Sequence, residues 1–489
     1  MNEHAAHRSN TPDRPAVDVQ IVGAGLAGLL AANLAADAGL TVRLVERTAD
    51  TGGRADSADH HGYALNLGPH ALYLQGALRR TLVDLGVDHP GSPPDAVGGT
   101  ASLGARRGLL PAGPGSLLRT NLLGARAKFD LARLMARIPR IDPTRLATTS
   151  VAEWIDGATG DPDLRLALRG IVNIGTYNAA ADLASADAAV SQLQMAIDEG
   201  VRYVDGGWRT IVQRLSDRAD RIGVERMNAT VTAVEPRRRG QPVASDPASP
   251  DQTAAATTPA TTTTTIVTAD GDRFPAGATI VAAGGPAVAD RLLALAGTQQ
   301  AIADAVGPAV EASAIDLGVE RRPEVGAHFG LDTRLYASVH SVAAGVAPTG
   351  RHLVTAALYR LPGEATSPDD TRARLLDHAV EMGVDPDTIE VVRYLHRLTV
   401  AGGMPLAARG GLAGRPGVRI AGRPGVLVAG DWVGPTGLLA DAAAASAAAA
   451  VAVVANEGVS IAAAVPGRPT VTTADAPAPA PARARLVTP

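Results

Sequence analysis

The segment Val17-Asp18-Val19-Gln20-Ile21-Val22-Gly23-Ala24-Gly25-Leu26-Ala27-Gly28 limits what this chain can fold into more than any other. An apolar strand runs straight into Gly-x-Gly-x-x-Gly, and an Ala/Leu-rich helix follows to about Ala38. A second strand, Thr41 to Val45, then ends at Glu46. Gly23 permits the tight turn, Gly25 lets the backbone approach a pyrophosphate, and Gly28 lets helix and strand pack closely. The helix start offers free N–H groups and a positive dipole end to phosphates. Glu46 is placed to accept hydrogen bonds from the hydroxyls of an adenosine ribose. The candidate dinucleotide cradle is therefore Gly23, Gly25, Leu26, Ala27, Gly28, Glu46 and Arg47. A glycine-rich turn in an unrelated α/β unit is the plainer alternative, and at this point NAD(P) and FAD are both open.

Three more segments bear on that choice. Thr51-Gly52-Gly53-Arg54-Ala55-Asp56-Ser57 follows Glu46, and Asn66-Leu67-Gly68-Pro69-His70-Ala71-Leu72-Tyr73 comes next. Near the other end, Gly425-Val426-Leu427-Val428-Ala429-Gly430-Asp431-Trp432 precedes Gly437-Leu438-Leu439-Ala440-Asp441, which opens an Ala-rich helix. In this order around the glycine motif, the segments resemble the FAD-containing superfamily of amine oxidases, protoporphyrinogen oxidases and phytoene-desaturase-like enzymes. The resemblance covers the cofactor-binding segments well and the rest of the chain poorly.

That resemblance implies bound FAD. It makes Gly53 and Arg54 part of the turn beneath the flavin and its diphosphate, and runs Gly68, Pro69 and His70 beside the flavin ring. It gives Asp431, after Gly430, the ribityl hydroxyls. The helix starting at Gly437, Leu438 and Leu439 would aim its N–H groups at the N1/O2 edge of the flavin, where the reduced form is negative. A backbone group near Val231 would contact adenine. The strand from Thr279 through Ala283 and Gly284 would return beneath the cofactor, and the pair Gly206-Gly207 before a helix would bring the chain back to the FAD domain. The segment Gly430-Asp431-Trp432 departs from carotenoid desaturases proper, where a His/Pro/Gly-rich turn usually stands.

The expected fold is α/β. It combines a Rossmann-type FAD-binding domain in a three-layer ββα arrangement with a second, α+β domain of a mixed sheet and helices. The FAD domain is expected from 16–75, 200–300 and 413–457, and the substrate domain from 76–199 and 301–412. The first substrate stretch reads as mostly helical, as in Ala125 to Ile138. The second contains strands such as Ala312 to Leu317 and Leu353 to Tyr359, with a helix near Thr371 to Met382. Composition marks 236–265 as a disordered insertion at a hairpin tip, and 1–15 and 458–489 as disordered tails.

Composition also removes function classes. A net charge of −4 and the lack of any basic stripe argue against nucleic acid. With no cysteine there is no disulfide, thiolate metal site, cysteinyl flavin link or catalytic thiol, and no metal site is read from the sequence. The N-terminus lacks the apolar stretch of a signal peptide. The longest apolar run, Ala442 to Ala455, is too short to span a bilayer. A cytoplasmic enzyme acting on a small molecule is the expectation, with its electron acceptor and oligomeric state unassigned.

The chemistry of a flavin is hydride or electron transfer at N5. Of 45 Lys and Arg residues only Lys128 is a lysine, so the lysine that assists oxygen reaction in many amine oxidases has no counterpart where relatives carry it. A paired-aromatic amine cage would have to come from Tyr336, Tyr359, Tyr394 and Trp432. Both points favour a dehydrogenase or desaturase of an apolar or alicyclic substrate. An amine oxidase releasing hydrogen peroxide is one alternative, and a flavin-dependent isomerase or non-catalytic flavin-binding subunit is another. A pure NAD-binding module is a weaker fourth reading. Candidate bases are His70, His328, His340 and His396, and none is assigned.

Overall fold

The computed structural model describes residues 16–94, 99–236 and 264–457. The two tails expected to be disordered lie outside these residues, as does most of the 236–265 insertion. Its ends do not. Pro236 pairs with Thr264, and Thr265 with Glu235, in an antiparallel ribbon. Composition assigned these residues to the insertion because a threonine run reads as low complexity, yet β-branched threonine is a strand former. Thr264 is anchored by a 2.6 Å hydroxyl–hydroxyl hydrogen bond to Thr279.

Strand β1 (Val17–Val22) is buried along its whole length, as a strand covered on both faces must be. Its two polar residues are paired. Asp18 Oδ2 accepts from Thr41 N and Oγ1 at 2.8 and 2.7 Å, and Gln20 Nε2 donates to Thr279 Oγ1 at 3.0 Å. Helix α1 (Leu26–Asp37) and strand β2 (Val42–Glu46) follow. β1 lies parallel between β2 and the strand Arg273–Val281, and Glu225–Asn228 adds parallel to the far side of β2. The strand Arg273–Val281 then serves two further partners. Its first half pairs antiparallel with Thr264–Thr268, and its last residues, Thr279 to Val281, pair parallel with Val426–Val428. The sheet therefore branches into a parallel core and an antiparallel ribbon.

One face of this sheet carries α1, Arg209–Arg221 and Leu439–Asn456, joined in one core through Leu29, Leu30, Ile211, Leu215, Ala447 and Val454. Helix Ala77–Asp84 belongs here too, through Leu78 and Leu82. It falls within the stretch 76–199 expected of the substrate domain, because a short amphipathic helix does not announce which sheet it covers. Helix Leu439–Asn456 is long and apolar enough to cross a membrane, with mean hydropathy 1.6 over 18 residues, but half of it is buried within the protein. Its small alanines pack against α1.

The second sheet runs in the order Ile389–Ala401, Val310–Val319, His352–Tyr359, Leu335–Val339, Ala327–Gly330, Thr100–Leu103, Arg106–Leu109. It is mixed, since Ala327–Gly330 pairs parallel with Thr100–Leu103. Two of its pieces escape the sequence reading. The hairpin 100–109 lies in a stretch read as helical, and Ile389–Ala401 carries arginines and a histidine that hide its alternation. Helix Pro368–Met382 covers one face through Leu375, Ala379 and Met382. Helices Ala125–Arg137, Val151–Ala158, Pro162–Thr176 and Ala186–Asp198 form a separate cluster around Leu131, Ile155 and Leu168.

Candidate cofactor and substrate site

The glycine loop is shaped by close approaches. Gly23 has φ of 101°, and a Cβ there would lie 2.8 Å from Ala283 Cα. A Cβ on Gly28 would lie 1.9 Å from the Gly23 carbonyl oxygen, so only glycine lets α1 close on the turn. Gly25 differs. Its Cβ would meet nothing nearer than Gly52 O at 3.9 Å. The space above it is open, as a surface that must admit a phosphate group requires. Leu26 and Ala27 form the first turn of α1 beside it. Gly52 N donates to Ala24 O at 2.8 Å, which sets the turn of Gly53 and Arg54 against the loop.

Glu46 folds back toward the same loop. Its Oε2 accepts from Ala24 N at 2.8 Å, while Oε1 accepts from the Arg47 and Thr48 amides and the Thr48 hydroxyl. A carboxylate has lone pairs for about four hydrogen bonds, so a ribose hydroxyl bound here would have to share or replace one of these. Ala229 N donates to Glu46 O at 2.9 Å, which brings Val231 to the same end of the sheet. Ala283 and Gly284 also arrive here, because Ala282 N donates to Val22 O at 2.8 Å.

Arg54 and Asp431 meet across 377 positions of sequence. Arg54 Nη1 lies 2.7 Å from Asp431 Oδ2, with the arginine side chain 42% exposed and the aspartate 6%. Asp431 Oδ2 also accepts from Gly402 N at 3.1 Å, while Oδ1 is buried with no partner among the described residues. An orphaned carboxylate oxygen beside a guanidinium is suited to a ligand hydroxyl.

Arg415, which sequence analysis does not single out, holds the loop after Asp431. Its Nη1 donates to Asp431 O at 3.2 Å, and Nη2 to Thr436 O and Gly437 O at 3.3 and 2.8 Å. Burial lowers this guanidinium to about 10, against the opposing pull of Asp431 and Asp187. The loop delivers Gly430, Gly437, Leu438 and Leu439 to the start of the Ala-rich helix. Gly437 has φ of 69°, and a Cβ there would lie 2.8 Å from Asp441 Cβ. An arginine sixteen residues before its partner leaves no local pattern in sequence.

The turn Gly68-Pro69-His70 is held from below. Arg393 pairs with buried Asp316 and donates to the carbonyls of Leu65 and Asn66, just before the turn. His70 Nδ1 donates to Gly68 O at 3.0 Å, and its ring meets Trp208 edge-on at 4.9 Å. Burial holds His70 below the ordinary histidine range.

A small cavity lies between these elements and the second domain. Asp431, Leu438 and Leu439 line one side, facing Val151, Ala188, Val310, Met404 and Asn178. Its other polar side chains are satisfied by protein. Asn178 Oδ1 accepts from Ala180 N, Thr176 Oγ1 donates to Val172 O, and Ser185 Oγ donates to Asp187.

The remaining sequence candidates scatter. None of His70, His328, His340 or His396 lines the cavity. His340 stacks on Tyr203 at 4.5 Å, and His396 Nδ1 bonds the Tyr394 hydroxyl at 2.8 Å. Tyr336 and Tyr359 share a small cluster, but Trp432 is buried in the core beneath the first sheet and Tyr394 lies on the outer strand, so the four form no cage. Lys128 Nζ donates to Leu118 O on the surface.

Residues 21–85 match the family of NAD(P)-binding Rossmann-like domains. A phytoene desaturase from Cercospora nicotianae is 38% identical over 77 residues, 16% of this chain and 12% of the desaturase, so the chain matches only a small part of that relative's length. Among solved structures, putrescine oxidase bound to putrescine superposes with a TM-score of 0.65 at 17% identity, covering 90% of this chain and 99% of that one. Cyclohexylamine oxidase from Brevibacterium oxydans gives 0.64 at 16%, covering 91% and 99%. An oxidoreductase from Methanosarcina mazei gives 0.61 at 18%, covering 88% and 99%. The chain thus has the overall fold of these oxidoreductases, and its segment 21–85 is similar to NAD(P)-binding Rossmann-like domains.

Proposed function

We propose that this protein is an FAD-dependent oxidoreductase of dehydrogenase or desaturase type, taking hydride from an apolar or alicyclic small molecule. The cavity beside Asp431 and Leu438 carries this reading. It adjoins the segments assigned to the flavin, and the polar side chains on its wall are already bonded within the protein, apart from the Oδ1 of Asp431. A substrate entering it meets methyl and methylene groups, and a polar one would lose hydration without replacement.

The chain's residues fit the cofactor. Open space over Gly25 accommodates a pyrophosphate, Glu46 stands at the ribose end, and the unpartnered Oδ1 of Asp431 suits a ribityl hydroxyl. Bound flavin would supply a hydride acceptor. The protein's part is to hold a C–H bond at that acceptor and keep water out, which the apolar wall does. No histidine among the described residues lines the cavity, so the reading routes no proton through one.

The test is the purified protein's visible spectrum, followed by anaerobic photometry against alicyclic hydrocarbons, alcohols and amines. Bleaching of a bound flavin by an apolar substrate is the expected result. A colourless protein that takes up no FAD would end the reading. Bleaching by amines alone, with hydrogen peroxide formed in air, would replace it with an amine oxidase, and turnover with no acceptor would make it an isomerase.

A further inference from the structure

Away from this site, the second sheet and its covering helix bring together His328, His378 and Glu381, whose ligand atoms all lie within 4.8 Å of one another. His328 stands on Ala327–Gly330, and His378 and Glu381 share one face of Pro368–Met382 at i, i+3. Glu381 Oε2 is 3.6 Å from His328 Nε2 and 3.6 Å from His378 Nδ1. That is too long for a hydrogen bond. It is close to the separation of about 3.3 Å between neighbouring ligands of a tetrahedral zinc with bonds of about 2.0–2.1 Å.

The hydrogen bond of His378 decides where its lone pair points. His378 Nε2 lies 3.2 Å from the His328 carbonyl, which can only accept, so Nε2 carries the hydrogen and Nδ1 bears a lone pair. That lone pair faces the Glu381 carboxylate, acceptor against acceptor. His328 Nδ1 is 2.7 Å from Thr100 Oγ1, and its Nε2 is buried, in a side chain 1% exposed, with no hydrogen-bond partner among the described residues. Each imidazole has its other nitrogen bonded to a carbonyl or hydroxyl, the outer arrangement that orients metal-binding histidines.

We propose that His328 Nε2, His378 Nδ1 and Glu381 form a binding site for a divalent transition-metal ion of the zinc class, clamping helix Pro368–Met382 onto the second sheet. Two imidazoles and a carboxylate suit zinc, and the 57% exposure of Glu381 leaves the fourth position to water.

The test uses untagged full-length protein, freed of metal by chelator and titrated with Zn²⁺ by calorimetry, with melting followed in parallel. One Zn²⁺ per chain and a higher melting temperature are expected. Glu381→Gln, at an exposed position, should weaken binding at least about tenfold, as losing even an outer-shell partner does. His378→Ala should abolish it. A His60→Ala/His61→Ala variant, altering the adjacent histidine pair elsewhere on the surface, should bind normally. Absence of saturable binding to the folded protein would overturn the proposal. So would one-to-one binding that survives both Glu381→Gln and His378→Ala.

Discussion

Gly25 and Gly28 show how one residue type serves two physical ends three positions apart. A Cβ on Gly28 collides with the Gly23 carbonyl at 1.9 Å, while one on Gly25 points into space. Gly28→Ala should cost about 1–3 kcal/mol in urea unfolding, as overpacking does. Gly25→Ala should change stability by no more than about 1 kcal/mol, yet lose most of the flavin, read as the ratio of blue to ultraviolet absorbance. Asp441 offers a test in pH. Burial raises its carboxyl to about 6, although Leu78 N donates to it at 2.8 Å and Arg80 pulls it down. In the unfolded chain it titrates near 3.9. The folded state therefore holds this proton more tightly, and stability falls as pH rises from about 4 to about 6, by up to about 3 kcal/mol. Asp441→Asn cannot ionise, so its stability relative to the natural protein should climb across that window and level off above it. Parallel urea titrations from pH 4 to 8 would show this, and a flat difference would contradict it.

At the scale of elements, the turn that would face the flavin depends on a strand of the other sheet. Asp316 on Val310–Val319 is buried, and burial pushes its carboxyl above the usual range against the pull of Arg393 and Thr355. Arg393 on Ile389–Ala401 balances that charge and at once donates to the Leu65 and Asn66 carbonyls. Arg393→Ala leaves a buried carboxylate uncompensated, and about 3–5 kcal/mol of stability should go with it. Flavin retention should fall as well, since the Gly68-Pro69-His70 turn loses its support. Unchanged flavin content in a folded variant would show that the turn holds itself. None of this was visible in sequence, because Arg393 lies in a strand whose polar residues mask its alternation.

For the whole molecule, the candidate cradle gathers Gly25, Arg54, Val231, Ala283 and Asp431 from stretches spanning most of the chain. A ligand held by so many segments stabilises all of them together. Adding FAD to the apoprotein should therefore stabilise the fold by about 2.7 kcal/mol at a hundredfold excess over Kd, raising the melting temperature with concentration, and a midpoint indifferent to FAD would refute the shared cradle. The glycine spacing, the acid ending β2 and the apolar run of β1 were legible in the sequence because each obeys a local rule, a turn or a period, that neighbours along the chain enforce. So were the glycine pair before Arg209–Arg221 and the apolar strand before Asp431. The partners of Asp431, the bracing of its loop by Arg415, the sheet that claims Ala77–Asp84, and the meeting of His328 with His378 were decided only by tertiary structure. These depend on distances between residues far apart in sequence, and no local pattern encodes which distant side chain will lie opposite once the sheets have closed.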